Sequence, residues 1–188
     1  MRLFLASESP RRRVLLKRLI EDFAVEAAGV EEIDSRSATP LEVAVCNAEL
    51  KARAVSLRHP EDWVLGADTV VILDGKSYGK PANLQEAAEV LKTFSGRTHL
   101  VVTAISLQRA ADNRQHDLTA KTEVVFRKLS NEVIAEYLAT VPVLDKAGAY
   151  GIQERGELLV ESISGELENV IGLPVAALKP LLESLKII

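Results

Sequence analysis

The chain has 188 residues, of which 47% are hydrophobic and 27% are charged, a balance typical of a globular protein with a substantial core. Its 27 acidic and 23 basic residues give a net charge of −4, which argues against a nucleic-acid-binding module, because such modules are usually basic. Cys46 is the only cysteine, which excludes an intrachain disulfide, and no apolar run is long enough for a signal peptide or a membrane span. We therefore expect a single domain over residues 1–188, soluble and located in the cytoplasm.

The first segments read as strand, turn and helix. Residues 2–6 are predicted to form a strand, and Ser9 with Pro10 begins a helix as N-cap and first-turn proline. The apolar residues of that helix are Val14, Leu15, Leu16, Leu19 and Ile20. Residues 23–27 read as extended, and residues 30–39 as an acidic and polar loop.

A second helix is predicted from Thr39, which has the spacing of a capping box with Glu42, to about Leu57. Two apolar runs, at residues 63–67 and 70–73, follow it and indicate a buried strand that Asp68 interrupts. Asp74 and Gly75 then form a strong two-residue hairpin signal.

The rest of the chain continues the alternation of helices and strands. In chain order we predict a helix capped at Asn83 and ended by Ser95-Gly96, an antiparallel strand pair at 98–108 and 115–126, a helix at 130–140, a glycine-rich loop at 148–156, a strand at 158–163 and a helix at 174–187. The pattern favours an α/β fold with a mixed, twisted sheet flanked by helices.

Three arginines, Arg11, Arg12 and Arg13, occupy the first turn of the helix that follows the first strand. Positive side chains are unfavourable at a helix N-terminus unless an anion binds there, where free N–H groups and guanidinium groups then converge on it. The cluster is therefore either a solvated basic turn or a phosphate-binding turn.

Asp68 with Thr69 is the second candidate, because a carboxylate inside an apolar strand needs a compensating partner. It is either a structural strand-end residue or a metal ligand or general base. The acidic loop of Glu31, Glu32 and Asp34 reads as solvated surface unless it lies near Asp68. In that case Glu32 and Asp68 would suit a magnesium ion that also carries a triphosphate.

Lys51 and Lys80 are each most simply read as surface residues, but together with the arginines they would supply charge for several phosphates. The small residues of the loop around Gly148 and Gly151 indicate either a turn with a packed tyrosine or a loop that approaches a ligand closely.

Six sequence blocks, taken in order, resemble those of the Maf proteins, first described as septum-formation inhibitors. They are LASESPRR (5–12), GADTVV (66–71), GKP (79–81), FSGRTH (94–99), DKAGAYGIQ (145–153) and IGLP (171–174). The resemblance covers essentially the whole chain. It implies a fold similar to that of the inosine triphosphate pyrophosphatases, with two lobes around a cleft, and hydrolysis of a nucleoside triphosphate between its α and β phosphates with a divalent metal ion, Mg²⁺ or Mn²⁺.

The resemblance also implies residue roles. Asp68 matches the proton acceptor of the family, and the phosphate- and metal-handling positions match Ser7, Arg12, Glu32, Lys51 and Lys80. Arg11, Thr69 and Gln153 resemble the set of the dTTP/UTP pyrophosphatases rather than that of the group that prefers 7-methyl-GTP. A carboxamide such as Gln153 can both donate to a carbonyl and accept from the ring N–H of uracil or thymine.

These roles combine into one mechanistic hypothesis. Arg11, Arg12, Lys51 and Lys80 clamp the triphosphate, Glu32 and Asp68 share a metal ion, and Asp68 orients or deprotonates the attacking water. The alternatives are a pyrophosphatase for 7-methyl-GTP or another modified nucleotide, and a nucleotide-sensing regulator of cell division. A homodimer is suggested by the resemblance alone, and no nucleic-acid or membrane partner is expected.

Overall fold

A mixed β-sheet forms the centre of the protein. The computed structural model describes residues 2–33 and 38–188. Within them the sheet has seven strands: β1 (Leu3–Ala6), β2 (Ala24–Val25), β3 (Trp63–Leu73), β4 (Lys76–Tyr78), β5 (Thr98–Arg109), β6 (Arg114–Phe126) and β7 (Val160–Ser164). The strand order is β2-β1-β3-β5-β6-β7, and β4 pairs with β3. β1 runs parallel to β2 and β3, whereas the other pairs are antiparallel, so the predicted mixed sheet is confirmed.

Helices pack on this sheet, and most of them begin where the sequence places a capping residue. They are α1 (Pro10–Leu16), α2 (Pro40–Ser56), α3 (Leu84–Phe94), α4 (Asn131–Thr140), α5 (Leu167–Ile171) and α6 (Val175–Ser184). The side chain of Ser9 accepts a hydrogen bond from the backbone N–H of Arg12, and Thr39 forms the predicted capping box with Glu42. Such bonds satisfy N–H groups that the first helical turn leaves free.

Several predicted boundaries differ from the observed ones. α1 ends at Leu16, and its Val14 is 63% exposed, so this residue is not part of the apolar face that was predicted. β3 runs through Asp68 without interruption, because the strand hydrogen bonds involve only the backbone and the carboxylate has a partner of its own. The loop predicted at 148–156 overlaps a short 3-10 turn at each end, Ala147–Ala149 and Gly156–Leu158.

The long strand β3 connects the two largest groups of buried side chains. Leu65, near its start, belongs to a core with Leu5 and Trp63, whereas Val71, near its end, belongs to a core with Phe94 and other residues. Thr69 lies between these two cores, whereas Asp68 points to the opposite face of the sheet, where its neighbours Val64 and Val70 belong to two smaller clusters. The polar residues of the site described below therefore interrupt the apolar packing on both faces of β3. Among the helices of the described segments, none combines the length and the apolar character that a bilayer span requires.

Candidate functional site

A close approach of α2 to β3 brings the first two candidate residues together. Gly66 makes this approach possible, since a Cβ atom on it would lie 2.2 Å from the carbonyl oxygen of Ala48 and 2.6 Å from the backbone nitrogen of Ala52. Asp68 follows two residues later and therefore points to the same face of the sheet. Lys51 lies on α2 between Ala48 and Ala52, so its side chain reaches along the helix to this carboxylate.

Lys51 joins two carboxylates from distant parts of the chain. Its Nζ lies 2.7 Å from Oδ1 of Asp68 and 2.9 Å from Oε1 of Glu32. Lys51 is only 9% exposed and Asp68 only 8%, so this pair is shielded from bulk water, whereas Glu32 is open on one side. Partial burial by itself would raise the pKa of Glu32, but the hydrogen bond and charge of Lys51, with the charges of Lys80 and Arg12, lower that pKa.

Asn47 holds the segment that carries Glu32. Its side-chain oxygen accepts from the backbone N–H of Ile33 at 2.7 Å, and its amide group donates to the carbonyl of Ile33 at 3.1 Å. Asn47 is buried on α2, one turn before Lys51. The same helix therefore positions both Lys51 and the acidic residue that binds it.

Arg12 forms a second cluster on the other side of Asp68. Its guanidinium donates to Oγ1 of Thr69 at 3.0 Å, to the carbonyl of Gly172 at 2.9 Å and to Oγ of Ser7 at 3.4 Å. Burial lowers the pKa of Arg12, and the nearby charges of Asp68 and Glu32 oppose that effect. The guanidinium is thus oriented by neutral acceptors and attracted by two carboxylates, while it keeps its positive charge.

Arg11 is held by a different loop. Its Nη1 lies 3.0 Å from Oδ2 of Asp145, whose other oxygen lies 2.9 Å from Nζ of Lys146. Lys146 is buried and also lies 3.3 Å from Oε2 of Glu154. Burial alone would raise the pKa of Asp145, but Lys146 and Arg11 lower it. This network ties α1 to the loop that contains Gln153.

These groups surround one open cavity of about 740 Å³, a size within the usual range for small-molecule sites. Every residue that received a role from the family resemblance lines it, namely Ser7, Arg11, Arg12, Glu32, Lys51, Asp68, Thr69, Lys80 and Gln153. Arg13 and Glu31 are exposed and do not line the cavity. Asp34, the last member of the predicted acidic loop, lies outside the described residues. The cavity walls therefore combine four predicted cations with two predicted carboxylates.

The structure adds residues that the sequence analysis did not single out. Asn47, Asp145 and Lys146 line the cavity, and Thr103 and Asn169 support Thr69 from below. Asp145 and Lys146 lie inside a block that resembles the family, so their position was a usable signal. Thr103 and Asn169 carried no local signal, because only the pairing of β3 with β5 and the packing of α5 bring them to the site.

The donor set suits a cation that shares its ligands with a bound nucleotide. Glu32 Oε1 and Asp68 Oδ1 both contact Lys51 Nζ, at 2.9 and 2.7 Å, so two carboxylates converge on one point in the cavity wall. Across residues 2–33 and 38–188, His, Cys, Asp and Glu side chains form no group of three that would make a protein-only metal cage. Magnesium commonly uses one or two carboxylates together with phosphate oxygens and water, and this pair fits that mode.

Comparisons with known proteins agree with the geometry. The dTTP/UTP pyrophosphatase of Bacillus velezensis is 46% identical over 175 residues, which cover 93% of this chain and 92% of that protein. The dTTP/UTP pyrophosphatase of Akkermansia muciniphila is 44% identical, covering 91% of this chain and 89% of that protein.

The fold is similar to that of the Ham1 protein of Staphylococcus aureus, with a TM-score of 0.58, 17% identity and coverage of 98% of this chain and 99% of that one. A HAM1 protein from Coxiella burnetii gives the same values. The predicted similarity to the inosine triphosphate pyrophosphatase fold is confirmed. The model of the family described as Maf-like protein matches residues 2–185, and the chain belongs to that family.

Proposed function

We propose that this chain is a nucleoside triphosphate pyrophosphatase that hydrolyses dTTP and UTP to the monophosphate and diphosphate. The observation that carries the proposal is the meeting of Arg12, Lys51, Lys80, Glu32 and Asp68 in one cavity, although they are distributed over residues 12–80. The names of the relatives, dTTP/UTP pyrophosphatase, support the choice of substrates.

The cations provide the binding energy for the triphosphate. We assign Ser7, Arg12, Lys51 and Lys80 to the phosphates, because guanidinium and ammonium groups that are partly buried attract phosphate oxygens strongly. Lys51 contacts both carboxylates, so its positive charge also reduces the repulsion between them and an anionic substrate. The same cations stabilise the negative charge that develops on the departing diphosphate.

Asp68 is our candidate for the catalytic base. Its Oδ1 is engaged by Lys51, and within the described chain no hydrogen bond reaches its Oδ2. We assign Oδ2 to the water that attacks the α-phosphorus: it accepts the proton of that water while Lys51 holds the carboxylate in place. Glu32 and Asp68 would hold a divalent cation, Mg²⁺ or Mn²⁺, which supplies Lewis-acid polarisation of the phosphates when bound.

Specificity is assigned to Arg11, Thr69 and Gln153. All three line the cavity, and the Arg11–Asp145 pair connects the helix of Arg11 to the loop of Gln153. We propose that the carboxamide of Gln153 recognises the base, since it can pair with both a carbonyl and the ring N–H of uracil or thymine.

The cytoplasmic location, the homodimer and the absence of nucleic-acid partners stay predictions.

A panel of triphosphates with diphosphate detection tests the proposal. The panel contains dTTP, UTP, CTP, ATP and 7-methyl-GTP, each with Mg²⁺, with Mn²⁺ and with a chelator. We expect dTTP and UTP to give the highest kcat/KM and the chelator to abolish turnover. Preference for 7-methyl-GTP would reject the base assignment, and no turnover of any triphosphate with either metal would reject the enzyme assignment.

A further inference from the structure

Two threonines face each other below the Arg12 cluster. Thr69 on β3 and Thr103 on β5 are cross-strand partners, and their Oγ1 atoms are 3.0 Å apart. Thr103 is completely buried. The distance alone leaves open which hydroxyl donates its proton.

A third contact decides the direction of this hydrogen bond. Oγ1 of Thr103 also lies 3.0 Å from the backbone carbonyl of Asn169, which can only accept. A hydroxyl has one proton, so Thr103 donates it to Asn169 and must accept from Thr69. The hydroxyl of Thr69 therefore donates its proton to Thr103. Its lone pairs face Arg12, whose Nη2 donates to Oγ1 of Thr69 at 3.0 Å.

The carbonyl of Asn169 is itself fixed. The buried side chain of Asn169 donates at 3.0 Å both to the carbonyl of Val101 and to Oγ1 of Thr122. Thr122 in turn donates to the carbonyl of Glu166 at 2.9 Å. α5 is therefore attached to β5 and β6 by two threonine hydroxyls, of which Thr103 also contacts Thr69.

We propose that Thr103 is a positioning residue for substrate binding, which acts through Thr69 to hold the guanidinium of Arg12 in its binding orientation. Arg12 has five N–H donors, and three of them are used by Ser7, Thr69 and Gly172, which leaves two for a phosphate. Because the lone pairs of the Thr69 hydroxyl have a fixed direction, they determine which two N–H groups of Arg12 stay available for the phosphate. This inference rests on the proposed assignment of Arg12 to the triphosphate.

The test compares Thr103→Val with Thr122→Val. Both replacements are nearly isosteric, and both remove a buried hydroxyl that anchors α5, but only Thr103 contacts Thr69. For Thr103→Val we expect KM for dTTP and UTP to rise about fivefold, the factor that one net hydrogen bond supplies, with kcat within about twofold of wild type. Thr103→Ser should have the KM of wild type, because it keeps the hydroxyl. Thr122→Val should lower the melting temperature as much as Thr103→Val does, but it should not raise KM.

A double variant identifies the route. If Thr103 acts through Thr69, adding Thr103→Val to Thr69→Val should change KM no further. An unchanged KM in Thr103→Val, an equal rise in Thr122→Val, or a full additional rise in the double variant would overturn the inference. Wild-type turnover of dTTP and UTP is measured in the same series, so a wild-type enzyme that hydrolyses neither would instead refute the proposed function.

Discussion

Lys51 Nζ lies 2.7 Å from Asp68 Oδ1, and both side chains are almost completely buried in the wall of the cavity. The same ammonium contacts Glu32, so one cation balances two carboxylates. A buried charge without a partner is costly, so removing Lys51 affects more than substrate binding. The pair joins the stability of the α2–β3 contact to the chemistry proposed for the cavity.

Lys51→Met should therefore lower both activity and stability. We expect kcat/KM to fall at least about 100-fold and the free energy of unfolding to fall by about 3 kcal/mol at pH 7, because two carboxylates lose their shared cation. Since Lys51 lowers the pKa of Glu32, its stabilisation is present at neutral pH and is lost as the pH falls through that pKa.

Urea unfolding of wild type and Lys51→Met from pH 7 to pH 3, a range that extends below the ordinary pKa of a glutamate, measures this effect. The difference in unfolding free energy between the two proteins should become smaller as the pH falls. A difference that is constant or grows over this range would show that the ion pairs of Lys51 are not the cause. Lys51→Arg is the control that keeps the positive charge on a side chain of different shape.

Gly66→Ala tests the helix–strand approach. The added Cβ would overlap the backbone of Ala48 and Ala52, so α2 must move away from β3 and carry Lys51 with it. We expect a loss of about 3 kcal/mol in unfolding free energy, as for overpacked cores. We also expect kcat to be lower than in wild type at temperatures at which the variant is still folded. Gly79→Ala is the matched control, because a Cβ there has open space and should change stability by less than about 0.5 kcal/mol. Equal stability of the two variants would contradict the packing argument.

Burial of His99 predicts an acid-sensitive core. Desolvation lowers the pKa of His99 to about 4, and its Nε2 lies 2.8 Å from the hydroxyl of Tyr150, which lines the cavity. Because the unfolded chain takes up this proton at a higher pH, the neutral histidine stabilises the fold above pH 6.5, and that contribution is lost as the pH falls towards 4.

His99→Gln keeps a polar side chain beside Tyr150 but does not titrate. We expect the stability of wild type relative to this variant to fall by about 3 kcal/mol between pH 7 and pH 4. Chemical unfolding at several pH values measures it. A parallel pH dependence of the two proteins would show that His99 is protonated as easily in the folded state as in the unfolded chain.

Asp145→Asn addresses the charge at the cavity entrance. The Arg11–Asp145 pair is partly exposed, and the buried Lys146 keeps Glu154 and the carbonyl of Pro142 as partners, so the replacement should lower the unfolding free energy by only about 1 kcal/mol. It also removes a negative charge from the wall of the cavity in which we place an anionic substrate, so KM for dTTP should fall about threefold at low salt. The change should shrink towards 1 M salt, where the Debye length is about 3 Å.

Asp74→Asn provides the comparison for that experiment. It removes the same charge from an exposed ion pair with Arg97, and neither residue lines the cavity. We expect no change in KM. A KM that falls equally in both variants would indicate an effect of net charge rather than of the Arg11 network.

Much of the site could be predicted because its residues stand next to local signals. Ser9 and Pro10 place Arg12 in the first turn of α1, and the capping box at Thr39 places Lys51 on α2. Asp68 was identified because a carboxylate within an apolar strand is rare without a partner. The partner itself was not predictable from spacing, because the distance between Lys51 and Asp68 depends on how closely α2 approaches β3.

The parts of the fold and site that the sequence did not predict depend on tertiary contacts. α5 has five residues and no side-chain N-cap, so its sequence carries too little helical signal for prediction. Asn169 nevertheless stabilises the sheet below Thr69 through contacts with β5 and β6. The early end of α1 and the exposure of Val14 likewise reflect what packs against that helix rather than its apolar pattern.

Asp68→Asn tests the central claim most directly, because it removes the negative charge while it preserves the shape of the side chain. The variant is assayed for dTTP and UTP hydrolysis with Mg²⁺, and for binding of a non-hydrolysable analogue by calorimetry. We predict turnover at least about 1000-fold below wild type, with the dissociation constant within about fivefold. A folded Asp68→Asn protein that hydrolyses dTTP at a near-normal rate would contradict the account.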